Sequence, residues 1–284
     1  MICLTGDVHQ PLGSMDQRAA RLNEVACALR YAEVGERCDL KATLFVTGRA
    51  AIKHEAELRE LAGRENVRIE GHTYSAFQPR LLFRLLRFLG GAVYGPAWYQ
   101  SWDIAHTVRL IERVTGRPCV AWRTHAFQSN RYTYAAAHAA GVQVISDEVT
   151  GPDVLFPRYR WGLLSLPINV LEDHTHLYHG LRTPEHVRRV RPKGGGRGIG
   201  VGPDPASYTP EEWAAIVTAQ VEHITSRGGL ATLLVHPICM HVADDFQTFE
   251  RLCRALSRYG SIWAHEALTE YSVKRWDVHS KCNT

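Results

Sequence analysis

The chain has 284 residues, 45% hydrophobic and 22% charged, a composition ordinary for a soluble globular protein with a sizeable core. Its net charge of +4 is mild, and no basic run is interleaved with aromatics, which argues against a nucleic-acid binder. No apolar run approaches the length of a membrane span. The start "MICLTGD" reads directly as a strand with no export signal before it, and the seven cysteines are odd in number and form no CxxC. Reduced thiols in a cytoplasmic protein are the expectation.

Taken in chain order, strand and helix patterns alternate. Ile2-Cys3-Leu4-Thr5 is a short apolar strand. Ser14 then caps a helix carrying Ala19, Leu22, Val25, Ala26 and Leu29 on one face. "LKATLFVTG" from Leu40 is a buried strand, followed by a helix around Ile52 to Ala62. Val67 to Glu70 leads to His72. An insertion at about 77–102 is rich in aromatics and arginines, and Ile104, Val108, Ile111 and Val114 mark the next helix. "CVAW" is a strand entering Arg123-Thr124-His125. Asn130 opens a helix, and "VQVIS" and "LLSLPIN" are further strands. An irregular section spans about 171–207, and its basic stretch from Arg188 to Gly198 reads as a loop. Thr209, Pro210 and Glu212 form a capping-box start. "LATLLVHP" is a buried strand, a helix follows, and "SIWAH" reads as a last strand.

Repeated strand–helix units with apolar strands imply a parallel sheet. The count predicts an α/β fold, a distorted (β/α) barrel with about seven parallel strands, with an open doubly wound sheet as the alternative. No GxGxxG opens an early helix, and no linker divides residues 1–284, so one domain is expected.

In such folds function gathers at the carboxyl ends of the strands. Those ends carry Asp7 and His9, then His72, then Arg123 and His125, then Asp147 and Glu148, then Asp173, His174, His176 and His179, and finally His236. A lone histidine at a strand end is more often packing than chemistry, but six strand ends do not all acquire such groups by packing.

At these residues the chain resembles the polysaccharide deacetylases, the family-4 carbohydrate esterases. The resemblance runs in motif order over about residues 1–270, through "TGDVH", "HTYSA", "RTHAF", "LEDHTH" and "LLVHP". It implies a distorted barrel and hydrolysis of sugar N-acetyl groups with one divalent metal, zinc foremost, with nickel or cobalt as alternatives. It implies Asp7 as catalytic base, His236 as acid and Arg123 as the partner that holds Asp7 ionised. His9 and His72 fall at ligand positions. Ala76 stands where the family has its second metal-binding histidine. Three completions are open: His125 swings in, Asp7 ligates with His9 and His72, or the metal is lost. The favoured set is Asp7, His9 and His72, with His125 in reserve.

Expected substrate contacts are His125, Tyr94, Trp98, Asp173 and His174, because aromatic faces stack on sugar rings. The apolar stretch "LLFRLLRFL" reads equally well as a surface helix against the barrel or a second subunit, which leaves a homo-oligomer open. A small acetylated amino sugar, or a nucleotide- or lipid-linked sugar, fits a protein without an export signal better than a wall polymer. The alternatives are a carbohydrate-binding homologue without metal, and a hydrolase of another C–N bond such as a formamide or cyclic amide.

Overall fold

The computed structural model describes residues 1–190 and 206–272. Eight strands form one sheet: β1 (Ile2–Val8), β2 (Ala42–Val46), β3 (Val67–His72), β4 (Ala121–Arg123), β5 (Val144–Ile145), β6 (Arg158–Arg160), β7 (Leu163–Ser165) and β8 (Ala231–Leu234). Their order is β6-β7-β5-β4-β3-β2-β1-β8. Seven strands run parallel, as expected, and β6 adds an antiparallel edge through Arg158↔Ser165 to Arg160↔Leu163. Glu148 fastens that edge, accepting hydrogen bonds from Arg158, Arg160 and Ser165. The exposed β6 carries no buried run, so nothing in its sequence announced it.

Among the described residues no ladder joins β7 to β8, and Asn169 stitches the seam instead. Its amide donates to Leu230 O at 2.9 Å and its carbonyl accepts from Thr232 N at 2.8 Å, imitating a strand pair. The sheet therefore curls into the expected distorted barrel without an unbroken ring of backbone bonds.

Strand residues alternate between two surroundings. On β1, Ile2, Leu4 and Val8 pack in the large core that includes the surrounding helices, while Cys3 belongs to a second cluster with Phe45, Ala121, Val144, Leu164 and Leu166. That inner cluster is closed by Ile262, Ala264 and Ala267. Its floor is apolar; toward the carboxyl ends the inward positions become Thr5, Asp7, Arg123 and Ser146, which bond to one another.

Two local expectations change. "SIWAH" contributes an isolated bridge, Ser261 to Ile2, before a short helical turn over Ala264–Glu266. The helix expected from Ser14 is two, Met15–Ala19 and Glu24–Arg37, because Asn23 caps a new start by accepting from Ala26 N. The capping box at Thr209 forms as expected. The basic stretch beyond Val190 lies outside the described residues. No helix among the described residues is long and apolar enough to cross a membrane.

Candidate functional site

Arg123 is the hub of the barrel mouth. It is fully buried at the end of β4, beside Phe45, whose ring lies 4.3 Å from its guanidinium carbon. It donates to Asp7 Oδ1 at 2.9 Å, Thr5 Oγ1 at 3.0 Å, and Ser146 Oγ and O at 2.8 and 3.1 Å. A buried cation needs this many partners, and a buried carboxylate needs the cation. Burial opposes the charge on Asp7, but Arg123, with His72, His236 and His9 nearby, holds its carboxyl well below the usual range.

Three histidines converge beside this pair. His9 Nε2 lies 3.2 Å from His125 Nδ1, and His72 Nε2 lies 3.3 Å from the same atom. His72 Nδ1 donates to Arg123 O at 2.6 Å, and His9 Nδ1 to Glu24 Oε2 at 2.9 Å. With those hydrogens committed, both rings turn their Nε2 atoms to one point. His125 Nδ1 carries at most one hydrogen and can satisfy only one of them. Burial pushes His72 down to about 3, and burial with His9 and His72 close holds His125 well below its ordinary value, so both rings are neutral. Neutral imidazoles sharing a point are the donor set of a divalent cation, and separations near 3.3 Å suit bonds of about 2.0–2.1 Å to each nitrogen. The carboxylate behind His9 is the kind of support that fixes a ligand's tautomer.

The expected trio of Asp7, His9 and His72 thus differs from the one that converges. His125 takes the third place, while Asp7 turns to Arg123. Ala76 lines the cavity with φ 48°, followed by Phe77 at φ 58°, and the loop after β4 carries a matching pair, Ala126 at φ 51° and Phe127 at φ 56°. Left-handed backbone at four non-glycine residues is strain of the kind found at functional sites. It curves both loops so that Phe77 packs on the His125 ring at 5.4 Å. Asp147 supports the second loop, accepting from Thr124 N and Thr124 Oγ1 at 2.6 and 2.7 Å.

His236 differs from the trio. Its Nδ1 meets Asp173 Oδ1 at 2.7 Å and its backbone N–H donates to Oδ2 at 2.6 Å. Burial opposes protonation, but the Asp173 carboxylate and this hydrogen bond raise His236 to about 10, with Asp7 adding to the effect. Its Nε2 points toward Asp7 Oδ2, 3.8 Å away. Asp173, expected to contact substrate, is fully buried with both oxygens engaged by His236, so it supports that histidine instead.

All of this borders one cavity of about 340 Å³, lined by Asp7, His9, His125, His174, His236 and Arg80 among others. His125 and His174, two of the expected substrate contacts, line it. Tyr94 does not: it is buried, and its hydroxyl donates to Asp103 at 2.7 Å. Trp98 lies 65% exposed on the helix Ala97–Thr115, against Tyr99 and away from the cavity lining. Aromatic content does not reveal which way a ring faces. Glu24 went unnoticed because an acidic residue in a helix's first turn normally reads as complementing the helix dipole.

Residues 30–145 match the family model for polysaccharide deacetylase. No curated protein matches the chain. Among solved structures, a candidate polysaccharide deacetylase from Mycobacterium smegmatis superposes with a TM-score of 0.67 at 17% identity, covering 96% of this chain and 90% of that one. An allantoinase gives 0.59 at 11% identity, covering 96% and 90%. A mutant of a CE4 family pseudoenzyme gives 0.51 at 14% identity, covering 92% of this chain and 63% of the other. At such identities the structural likeness speaks for the fold, and the family match is a similarity to polysaccharide deacetylase over residues 30–145, less than half of the chain.

Proposed function

We propose that the protein hydrolyses an N-acetyl group of an amino sugar or of a small molecule containing one. The observation that carries this reading is a pair of opposite protonation states across one cavity. Asp7 is held ionised by Arg123, and His236 is held protonated by Asp173, 3.8 Å from it. That is a proton acceptor and a proton donor set apart by their surroundings, as acid–base hydrolysis requires.

His9, His72 and His125 would hold a divalent cation, zinc by the nature of an all-imidazole set, with nickel or cobalt also suited. When bound, the cation supplies Lewis acidity to the acyl carbonyl and to water. Asp7 accepts the proton of the attacking water through Oδ2, the oxygen not bonded to Arg123. Its low basicity means that it serves as a base only toward an acidified water. Arg123 keeps the carboxylate oriented through the step. His236 Nε2 gives its proton to the departing amine, and Asp173 carries the charge balance before and after. Arg80 and Gln78 at the cavity edge offer donors to a linked phosphate or to sugar hydroxyls.

The test is acetate release from N-acetylated amino sugars, free and nucleotide-linked, by protein loaded with zinc, nickel or cobalt. Release that requires both the metal and Asp7 supports the reading. Metal uptake without acetate release, combined with ring opening of a cyclic amide, would replace it with the other C–N hydrolase. No metal uptake and retained sugar binding would replace it with the binding homologue.

A further inference from the structure

A second group of donors, two of which (Asp16 and His174) line the same cavity, is not used by this chemistry. Asp16, in the helix Met15–Ala19, meets His179 Nε2 at 3.2 Å through Oδ1 and His174 Nδ1 at 3.4 Å through Oδ2. Cys239, in the helix Pro237–Asp244, puts its sulfur 3.8 Å from the same nitrogen of His174. One donor atom from each of the four lies within 4.8 Å of all the others. Asp16, His179 and Cys239 are buried, and they come from three separate parts of the chain.

The hydrogen-bond accounting does not close without a further charge. His179 Nδ1 donates to Leu177 O at 2.8 Å, so a neutral ring turns a lone pair toward the Asp16 carboxylate. His174 Nδ1 faces a carboxylate oxygen and a sulfur at once and has one hydrogen to offer. Nor is the group a nucleophilic relay: there the thiol and the carboxylate would address different nitrogens of the imidazole. Cys239 also lies near Asp173 and His236, but those two already satisfy each other.

We propose that Asp16, His174, His179 and Cys239 bind a second divalent cation, distinct from the one assigned to His9, His72 and His125. One thiolate, two imidazoles and one carboxylate make a four-donor set that favours zinc among the common metals. The cation ties the N-terminal helix, the segment from Asp173 to His179 and the helix after His236 into one unit. It thereby holds Asp173 beneath His236. The site does not depend on the proposed reaction.

The experiment is a cobalt(II) titration of chelator-treated full-length protein, followed by stoichiometry and by optical absorption. Cobalt bound to a thiolate gives a sulfur-to-metal charge-transfer band in the near ultraviolet, and an all-imidazole site does not. Two equivalents with such a band are expected. Cys239→Ser should abolish the band and one equivalent, and so should His174→Ala. His174 has a side chain about half exposed (54%), so its variant carries the test if the buried cysteine variant does not fold. His72→Ala should keep the band and lose the other equivalent. Absence of the band in the parent, or a band that survives Cys239→Ser, overturns the proposal and reduces the group to an ion pair of Asp16 with a doubly protonated His179. A band present in the parent with stoichiometry unchanged by His72→Ala would instead remove the cation from the His9 site and leave this one standing.

Discussion

The two sides of the cavity treat the same side chain in opposite ways. On the β1, β3 and β4 side, the buried His72 and the half-buried His125 are neutral, with the Arg123 carbonyl and one another as neighbours. On the β8 side, the half-buried His236 touches a buried carboxylate through both its ring and its backbone, and it stays charged. Burial alone pushes an imidazole toward neutrality; only a carboxylate that has no other partner reverses it. Asp7 sits between the two sides and is claimed by Arg123, which stops it from charging His72 and His125. The difference separates lone pairs for a cation from a proton for a leaving group within one space of about 340 Å³.

The largest effect should come from removing the acceptor between them. Asp7→Asn keeps the shape but cannot take a proton, so turnover on a verified substrate should fall by about two to four orders of magnitude. Because Asp7 is not among the three converging nitrogens, the metal content of the His9 site should not change. Full turnover in this variant would move the reaction to another place in the fold. A parallel loss of metal would return Asp7 to the ligand set.

Arg123 tests whether the separation also holds the fold. Arg123→Met leaves Asp7 buried without its hydrogen-bonded cation, and denaturant unfolding should report a loss of about 3–5 kcal/mol. Adding Asp7→Leu should recover much of that loss, since the cost lies in the unpaired charge. A single variant as stable as the parent would mean that water reaches Asp7 freely.

Much of this was legible along the chain, and the reason is the strand period. In a parallel barrel the polar groups that follow apolar strands must gather at one end, so Asp7, His72, Arg123 and His236 announce a common location. The curl of the sheet was legible from the count of strand–helix units. Two kinds of information were not. The backbone turns at Ala76–Phe77 and Ala126–Phe127 decide which third group joins His9 and His72, and no glycine marks them. Glu24, Asp16 and Cys239 sit on helices, where an acid reads as a helix-start residue and a cysteine as core. Tyr94 and Trp98 show the converse limit: a cluster of aromatics in sequence is consistent with a cleft, a core or an exposed helix face, and here it is the last two.

A smaller effect is expected behind the three converging histidines. Glu24 accepts from His9 Nδ1 and from His9 N at 2.6 Å, so it fixes which nitrogen faces the cavity. Glu24→Gln should weaken metal affinity at that site about 10–100-fold while leaving the stoichiometry the same. Competition with a chromophoric chelator measures it. An unchanged affinity would mean that the His9 tautomer is set without Glu24.

The smallest effect per step is a pH slope that belongs to His236 alone. Its folded value, about 10, lies above the ordinary histidine value of about 6.5. The folded state therefore binds a proton that the unfolded state has released between these two values. The stabilisation is fully present below about pH 6.5 and is lost as pH rises toward 10, at up to about 1.4 kcal/mol per pH unit. Cys38 works the other way, since its hydrogen bond from Cys253 lowers it to about 7, whereas Cys3 and Cys27, pushed up to about 12 by burial, add to the loss of stability as pH rises. Subtracting the curve of His236→Gln from that of the parent cancels the cysteines and isolates the slope. Chelator-treated protein should be used, so that no metal equilibrium contributes. The difference should fall steadily from pH 7 to 9 if Asp173 keeps His236 charged. A flat difference would mean that His236 is already neutral at pH 7, and the two sides of the cavity would then hold the same kind of imidazole.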